Sequence, residues 1–224
     1  MLVPPMNILF AVLAFAALPA RAHLDSTVAG VSIRNTHQVS ERLLRGSEPR
    51  RKFTELAALG VTDVVIFKNQ VRGEVDRAIE EFASVGVRTH HIPFRWKDLE
   101  SPEIACRQVV QALRIMRDNE RAGRTTFFHC TAGEDRTGLL AGLWRVLKEG
   151  MEPRTAWTTE MCPRGYADGN PAKPRYVSDA IHAELTPLFF GLAEKARAGV
   201  LSLSRLDARA CNGFALSPVE LRCR

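Results

Sequence analysis

Three short runs rich in β-branched and aromatic residues, set among segments of helical period, constrain this fold more than any other feature. Residues 61–67 (VTDVVIF) lie between Gly60 and Asn69, residues 87–92 are stopped by Pro93, and residues 125–129 read TTFFH. Each has the length and apolar character of a buried strand. Around them, residues 51–59 predict a short helix ended by Gly60, and residues 74–85 place Val75, Ile79, Phe82 and Ala83 on one helical face before Gly86. Ser101 and Pro102 supply an N-cap and a proline at the first helical position. The helix they open carries Ala105, Val109, Ala112, Leu113 and Met116 on one side. Residues 139–147 are apolar nearly all round, which marks a buried helix. Strands alternating with helices predict an α/β fold with a mainly parallel sheet, whose ligands gather at the carboxyl ends of the strands.

The chain has 224 residues, 46% hydrophobic and 25% charged, which is enough for one core and little more. That composition excludes disorder, collagen-like repeats and a multi-pass membrane protein. Residues 152–197 read as helical with a Pro/Gly-rich interruption at 163–174, and no internal repeat stands out. Residues 8–18 form an apolar run followed by Pro19-Ala20-Arg21-Ala22, the small-x-small form of a signal-peptidase site. The run is too short to span a bilayer, and no Lys or Arg precedes it. The expected organisation is a signal peptide at 1–22, one folded domain at 23–200 and a patternless tail at 201–224. Export implies a periplasmic or secreted protein in an oxidising compartment. There, two of Cys162, Cys211 and Cys223 can pair; Cys211 with Cys223 is the expected bond, and Cys106 reads as a small buried hydrophobe.

The net charge of +6, from 31 Lys+Arg against 25 Asp+Glu, favours anionic partners. Nucleic acid is not expected, because no basic run is interleaved with aromatics and only 7% of residues are aromatic. No membrane span and no metal site are expected. His90 and His91 end a strand without a Cys or acidic partner at ligand spacing. Trp144 and Trp157 read as core anchors.

The chemistry lies at the end of the third strand, in His129-Cys130-Thr131-Ala132-Gly133-Glu134-Asp135-Arg136-Thr137-Gly138. A tight turn from strand to helix points successive backbone N–H groups inward, and the helix N-terminus adds its positive end. That field favours a thiolate, so Cys130 is the candidate nucleophile. Arg136 offers a planar fork for two oxygens of a phosphoryl group, and Gly133 permits a backbone angle closed to other residues. Thr137 can donate its hydroxyl to the sulfur and ease its departure. The remaining loop residues Thr131, Ala132, Gly133, Glu134 and Asp135, with His129 and Lys97, are candidates to bind substrate; Asp135 also reads as structural, bonding loop amides.

A bare C-x5-R is a weak signal, but the full string H-C-x-x-G-x-x-R-T between a hydrophobic strand and a buried helix is far rarer. It resembles the signature of the cysteine-dependent protein tyrosine phosphatase superfamily, and its ending, Asp135-Arg136-Thr137-Gly138, resembles the compact dual-specificity branch. Val39-Ser40-Glu41-Arg42-Leu43-Leu44-Arg45-Gly46-Ser47-Glu48-Pro49, followed by Leu59-Gly60-Val61-Thr62-Asp63-Val64-Val65, is similar to that branch's opening. The resemblance spans roughly residues 35 to 185. It implies a single α/β domain with a four- or five-stranded, mostly parallel sheet flanked by helices. It also implies a metal-independent phosphomonoesterase without a cofactor, working through a phosphocysteine. Cys130 maps onto the nucleophile, Arg136 onto the phosphate-binding arginine, Thr137 onto the hydroxyl that assists the leaving thiolate, and His129 onto the residue orienting the loop.

Such chemistry needs a carboxylic acid to protonate the leaving oxygen and then to activate water. The family carries it on a mobile loop, here residues 93–101, where Asp98 is the sole aspartate and Glu100 the alternate. Two substrates compete: an inositol polyphosphate such as inositol hexakisphosphate, or a phosphoprotein. Export favours the first, since some exported bacterial members of the superfamily are phytases, and Trp96 beside Asp98 resembles the tryptophan near their acid. Arg95, Lys97, Arg164, Lys173 and Arg175 are candidates to meet additional phosphates. Glu134 points the other way, since branch members that take phosphoinositides commonly carry Lys there. The phytase signature also usually reads G-x-G-R where this chain has G-E-D-R. A monomer is expected. Outside the enzyme class, a non-catalytic phosphate-binding module or a rhodanese-like sulfur carrier remains as an alternative.

Overall fold

The structure is a computed structural model that describes residues 28–223, so the expected signal peptide at 1–22 lies outside the described residues. Its centre is a five-stranded sheet of order β1-β2-β5-β3-β4. Strands β1 (His37–Ser40) and β2 (Leu43–Gly46) form an antiparallel pair at one edge. Strands β3 (Val61–Phe67), β4 (Arg88–Ile92) and β5 (Thr125–His129) run parallel to one another, and β2 runs parallel to β5. Helices α1 (Phe53–Ala58), α2 (Glu74–Ser84) and α3 (Pro102–Arg121) make the crossovers, and α4 (Asp135–Glu149) follows β5.

The strand period decides which core each side chain joins. Along β3, Val64 and Ile66 face α1 and α2 and pack with Phe53, Leu56, Val75 and Phe82. Val65 and Phe67 face the other way, into a larger core with Val109, Leu113, Leu140 and Trp144. Phe127 and Phe128 of β5 divide in the same manner, which is why this strand reads as apolar on both sides. Its register sets Gly46 of β2 and Ile66 of β3 opposite His129, so three carboxyl ends meet where Cys130 begins.

The expected capping of α3 is present: Ser101 accepts the amide of Glu103, with Pro102 at the first turn. Strands β1 and β2 carried no periodic signal, because Val39 alone is buried in β1 while all four residues of β2, Arg45 and Gly46 included, are buried, which is not a pattern of alternation. Beyond α4, the helical stretch breaks into α5 (Pro153–Ala156), a π-helical turn (Trp157–Met161), short 3-10 turns, then α6 (Arg175–Ala183) and α7 (Leu185–Arg197). Trp144 and Trp157 are core anchors, 0% and 1% exposed. His90 bonds Asp63 and His91 bonds the Lys68 carbonyl; no metal-ligating cluster occurs among the described residues. None of their helices is long and apolar enough to cross a membrane.

The cysteine pairing differs from the expectation. Cys106 bonds Cys211 and Cys162 bonds Cys223. Residues 201–223 are not a loose appendage, since Leu201, Leu206, Cys211 and Phe214 are buried in the larger core. The tail crosses α3, where a 3-10 turn (Ala208–Cys211) brings Cys211 onto Cys106, and only then reaches the 162–168 segment. The expected bond between Cys211 and Cys223 is therefore replaced by two bonds that this path selects.

The Cys106–Cys211 bond spans 105 residues and so constrains the unfolded chain strongly. Replacing both cysteines with alanine should lower the unfolding free energy by about 2–5 kcal/mol. Urea unfolding of the double variant beside wild type measures this, and an unchanged midpoint would count against the pairing.

Candidate active site

Cys130 leaves the end of β5 only 3% exposed, and among the described residues it is the one free thiol. The loop after it turns directly into α4, placing Arg136 and Thr137 in the first helical turn. Gly133 makes the tight return possible. Its φ is +73°, and a Cβ there would lie 2.5 Å from Gly46 C and from Ser47 N, so no side chain fits between the loop and the end of β2. The Gly133 carbonyl accepts from Arg45 Nη2 at 2.7 Å and from Asn35 Nδ2 at 2.8 Å, and the Thr131 carbonyl accepts from the Glu48 amide. Among the described residues, the amides of Thr131, Ala132, Gly133 and Glu134 donate to no protein acceptor, which leaves them for an anion.

Arg136 is 8% exposed and held at both guanidinium nitrogens. Nη1 donates to the Phe94 carbonyl at 3.1 Å and Nη2 to Thr131 Oγ1 at 3.2 Å. Burial of the Cys130 sulfur opposes ionisation, but the Arg136 guanidinium and the Thr137 hydroxyl and amide outweigh it, so the thiol titrates below its ordinary value. The Thr137 hydroxyl is buried and committed to no protein oxygen or nitrogen, which leaves it for the sulfur. Burial also holds His129 neutral, with its pKa brought down to about 4. Its Nδ1 lies 3.0 Å from the Cys130 carbonyl, an acceptor only, so Nδ1 carries the proton and orients the loop.

Two predicted substrate contacts are placed elsewhere. Glu134 is 8% exposed and turns from the cradle, meeting Asn170 Nδ2 at 3.0 Å and Lys173 Nζ at 3.1 Å. Asp135 accepts the Ala167 amide at 2.8 Å and Lys173 Nζ at 2.5 Å, both from outside the loop whose amides it was expected to bond. Burial raises the Asp135 carboxyl above the ordinary carboxylate range even beside Lys173. The acids of G-E-D-R are therefore a brace between the loop and residues 165–173, and they do not line the mouth. Thr131 and Ala132 are exposed at the rim, as substrate contact requires.

The basic residues expected to meet further phosphates also divide. Arg164 is buried against Glu160, and Lys173 is consumed by Glu134, Asp135 and the Gly165 carbonyl. Arg95, Lys97 and Arg175 remain exposed. Asp98 lies on the 93–101 loop with its side chain 78% exposed, 3.8 Å from Lys97 Nζ, and Lys97 sits over the Trp96 ring. The root of that loop reaches the cradle directly through Phe94 and Arg136. Sequence reasoning missed Asn35, Arg45 and Glu160 as supports beneath the loop. Arg45 stood within the quoted resemblance, but nothing in a strand of mixed character signalled its burial.

A buried sulfur whose charge is stabilised by Arg136 and Thr137 has a measurable consequence. The pH midpoint of Cys130 alkylation by iodoacetamide should fall below the ~8.5 of a free cysteine, and Thr137→Val should move it upward. Following alkylation by mass spectrometry tests both; an unshifted midpoint in Thr137→Val would remove the threonine from the thiolate's support.

Among curated proteins, none matches the chain significantly. Solved structures share its fold. TpbA of P. aeruginosa superposes with a TM-score of 0.54 at 24% identity, over 78% of this chain and 99% of that one. Tk-PTP in its active form gives 0.52 at 20% identity, over 72% and 97%. The core catalytic domain of the PP-IP phosphatase SIW14 from S. cerevisiae gives 0.51 at 18% identity, over 75% and 95%. The family model described as "Tyrosine phosphatase family" matches residues 28–147, a span that runs from the β1–β2 edge through Cys130, Arg136 and most of α4. With more than half of its length under that match and a cysteine-arginine cradle at its centre, the chain belongs to the tyrosine phosphatase family and is a phosphatase.

Proposed function

We propose that this phosphatase hydrolyses phosphomonoesters through a phosphocysteine on Cys130, with Asp98 as general acid and base, and that its substrate is phosphotyrosine in protein. The observation that carries the chemistry is the buried, ionisation-prone Cys130 facing Arg136 and Thr137 at the head of α4. In the first step the thiolate attacks phosphorus, an S–P bond forms and the P–O ester bond breaks. The Asp98 carboxyl gives its proton to the departing oxygen. In the second, the Asp98 carboxylate takes a proton from water, whose oxygen attacks phosphorus. The S–P bond breaks, and inorganic phosphate and the Cys130 thiolate are released, the latter eased by the Thr137 hydroxyl. Arg136 and the loop amides hold the three non-bridging oxygens throughout.

For the substrate, the strongest point is positive charge already spoken for. Arg164 and Lys173, two of the five basic residues suited to a polyphosphate, are buried in ion pairs of the scaffold. What remains suits one phosphoryl group on a larger body. A variant of P. aeruginosa TpbA has been crystallised in complex with phosphotyrosine. The second reading, inositol hexakisphosphate, retains exposed Arg95 and Lys97 beside Trp96 and Asp98. Export to the periplasm or beyond fits two disulfides that tie the tail to the domain.

Phosphate release in EDTA from a phosphotyrosine peptide, a phosphoinositide and inositol hexakisphosphate separates these readings. Cys130→Ser should abolish turnover of the peptide, and Asp98→Asn should slow it about 10²-fold or more. Release from inositol hexakisphosphate alone would make the enzyme a phytase. Binding that persists without turnover of any substrate would make the chain a phosphate-binding module.

A further inference from the structure

The loop that carries Asp98 has little of its own to fix its shape. Only Phe94 within it is fully buried, with Trp96 and Leu99 packed in part against the core. Asp98 itself takes a φ of +50°, a left-handed conformation that is unfavourable for a residue with a side chain and persists where its surroundings impose it. One side chain does so. The Asp98 amide donates to Glu184 Oε1 at 2.8 Å, and the Leu99 amide donates to Glu184 Oε2 at 2.7 Å. A single carboxylate thus takes both peptide N–H groups flanking the Asp98 Cα, from a position 86 residues away in the chain.

Glu184 is free to do this because of where it stands. It is the break between α6 and α7, with φ −125° and ψ −59°. A carboxylate at the N-cap of a helix ordinarily accepts from the second or third amide of that helix. In α7 the third residue is Pro187, which has no N–H, and Glu184 makes no capping bond with its side chain. The carboxylate reaches the acid loop instead. Fixing both peptide planes around Asp98 fixes the direction of its Cα–Cβ bond, and so the place from which a proton is delivered.

We propose that Glu184 is the positioning residue of the general acid, acting on the reaction solely through the backbone of Asp98 and Leu99. The inference rests on the assignment of Asp98 made above. It predicts a loss confined to the chemistry that needs an acid. Aryl phosphates with a strongly basic leaving group need protonation as the ester bond breaks, whereas nitrophenyl phosphates with a weakly basic leaving group need it far less.

The test compares kcat on both kinds of ester for Asp98→Asn, Glu184→Ala, Glu184→Gln and the double variant Asp98→Asn/Glu184→Ala. Asp98→Asn should lose about 10²-fold or more on the basic leaving group and much less on the activated one. Glu184→Ala should show the same selective pattern at about 10-fold, and Glu184→Gln, which keeps one acceptor oxygen, should fall between it and wild type. The double variant should be no slower than Asp98→Asn alone. Equal loss on both esters, wild-type rates in the Glu184 variants, or a further loss in the double variant would overturn the proposal. Should Glu184→Ala fail to melt cooperatively, the isosteric Glu184→Gln decides by the same criterion. If Asp98→Asn shows no leaving-group dependence, the acid assignment falls and this inference with it; if Asp98→Asn shows it and the Glu184 variants do not, only the role of Glu184 falls.

Discussion

Arg45, fully buried in β2, donates 2.7 Å to the Gly133 carbonyl and 2.9 Å to Glu160, and the loop bearing Cys130 rests on that pair of bonds. Placing a guanidinium beneath a tight loop is expensive unless every charge meets a partner. Glu160 answers it, and in turn receives Arg145 at 3.0 Å and Arg164 at 3.6 Å. Deleting one member of such a buried set typically costs about 3–5 kcal/mol, because the rest are left uncompensated. The arrangement also serves the chemistry. Arg45 and the Cys130 thiolate attract each other, so the group that fixes the loop from below adds to the field that Arg136 supplies from above.

From that support the close approach at Gly133 follows. The loop lies so near Gly46 and Ser47 that β2 must end in small residues and the loop must contain glycine at this position. On its other side the loop is braced by Glu134 and Asp135, with Lys173 shared between them at 3.1 and 2.5 Å. Loss of hydration on burial, with a smaller push from the neighbouring Glu134 carboxylate, keeps the Asp135 carboxyl raised against the pull of Lys173. The segment 162–173 that supplies this brace is tied through Cys162 to Cys223, so the tail contributes to the same wall.

How much of this was readable without coordinates depended on whether a residue's role repeats with period. Strands β3 and β5, the caps of α3 and the buried α4 were legible because apolar side chains recur at 2 or 3.6 residues. Cys130, Arg136, Thr137 and His129 were legible because the spacing of a strand, a tight loop and a helix is local. Arg45, Asn35 and Glu160 were not, since a polar side chain held beneath the loop is explained only by partners as many as 129 residues away. The same blindness turned Glu134, Lys173 and Arg164 into apparent surface charges. It also hid the partner of Cys211, since the path of the tail over α3 selected Cys106 for it.

Cys130 and Asp98, the proposed nucleophile and acid, stand on elements with opposite mechanical character, and the fold links the two. Cys130 is fixed by a central strand and a buried helix, whereas Asp98 rides an exposed loop at φ +50°. The Arg136 Nη1 bond to the Phe94 carbonyl links the two, at the base of the loop and on the residue that grips phosphate. A phosphoryl group drawing the guanidinium toward itself therefore pulls against the root of the acid loop. Glu184 holds the same loop near its tip, from the α6–α7 junction. Anchored at its root by Arg136 and at Asp98 and Leu99 by Glu184, the exposed loop is tied to the domain by two charged side chains from separate elements.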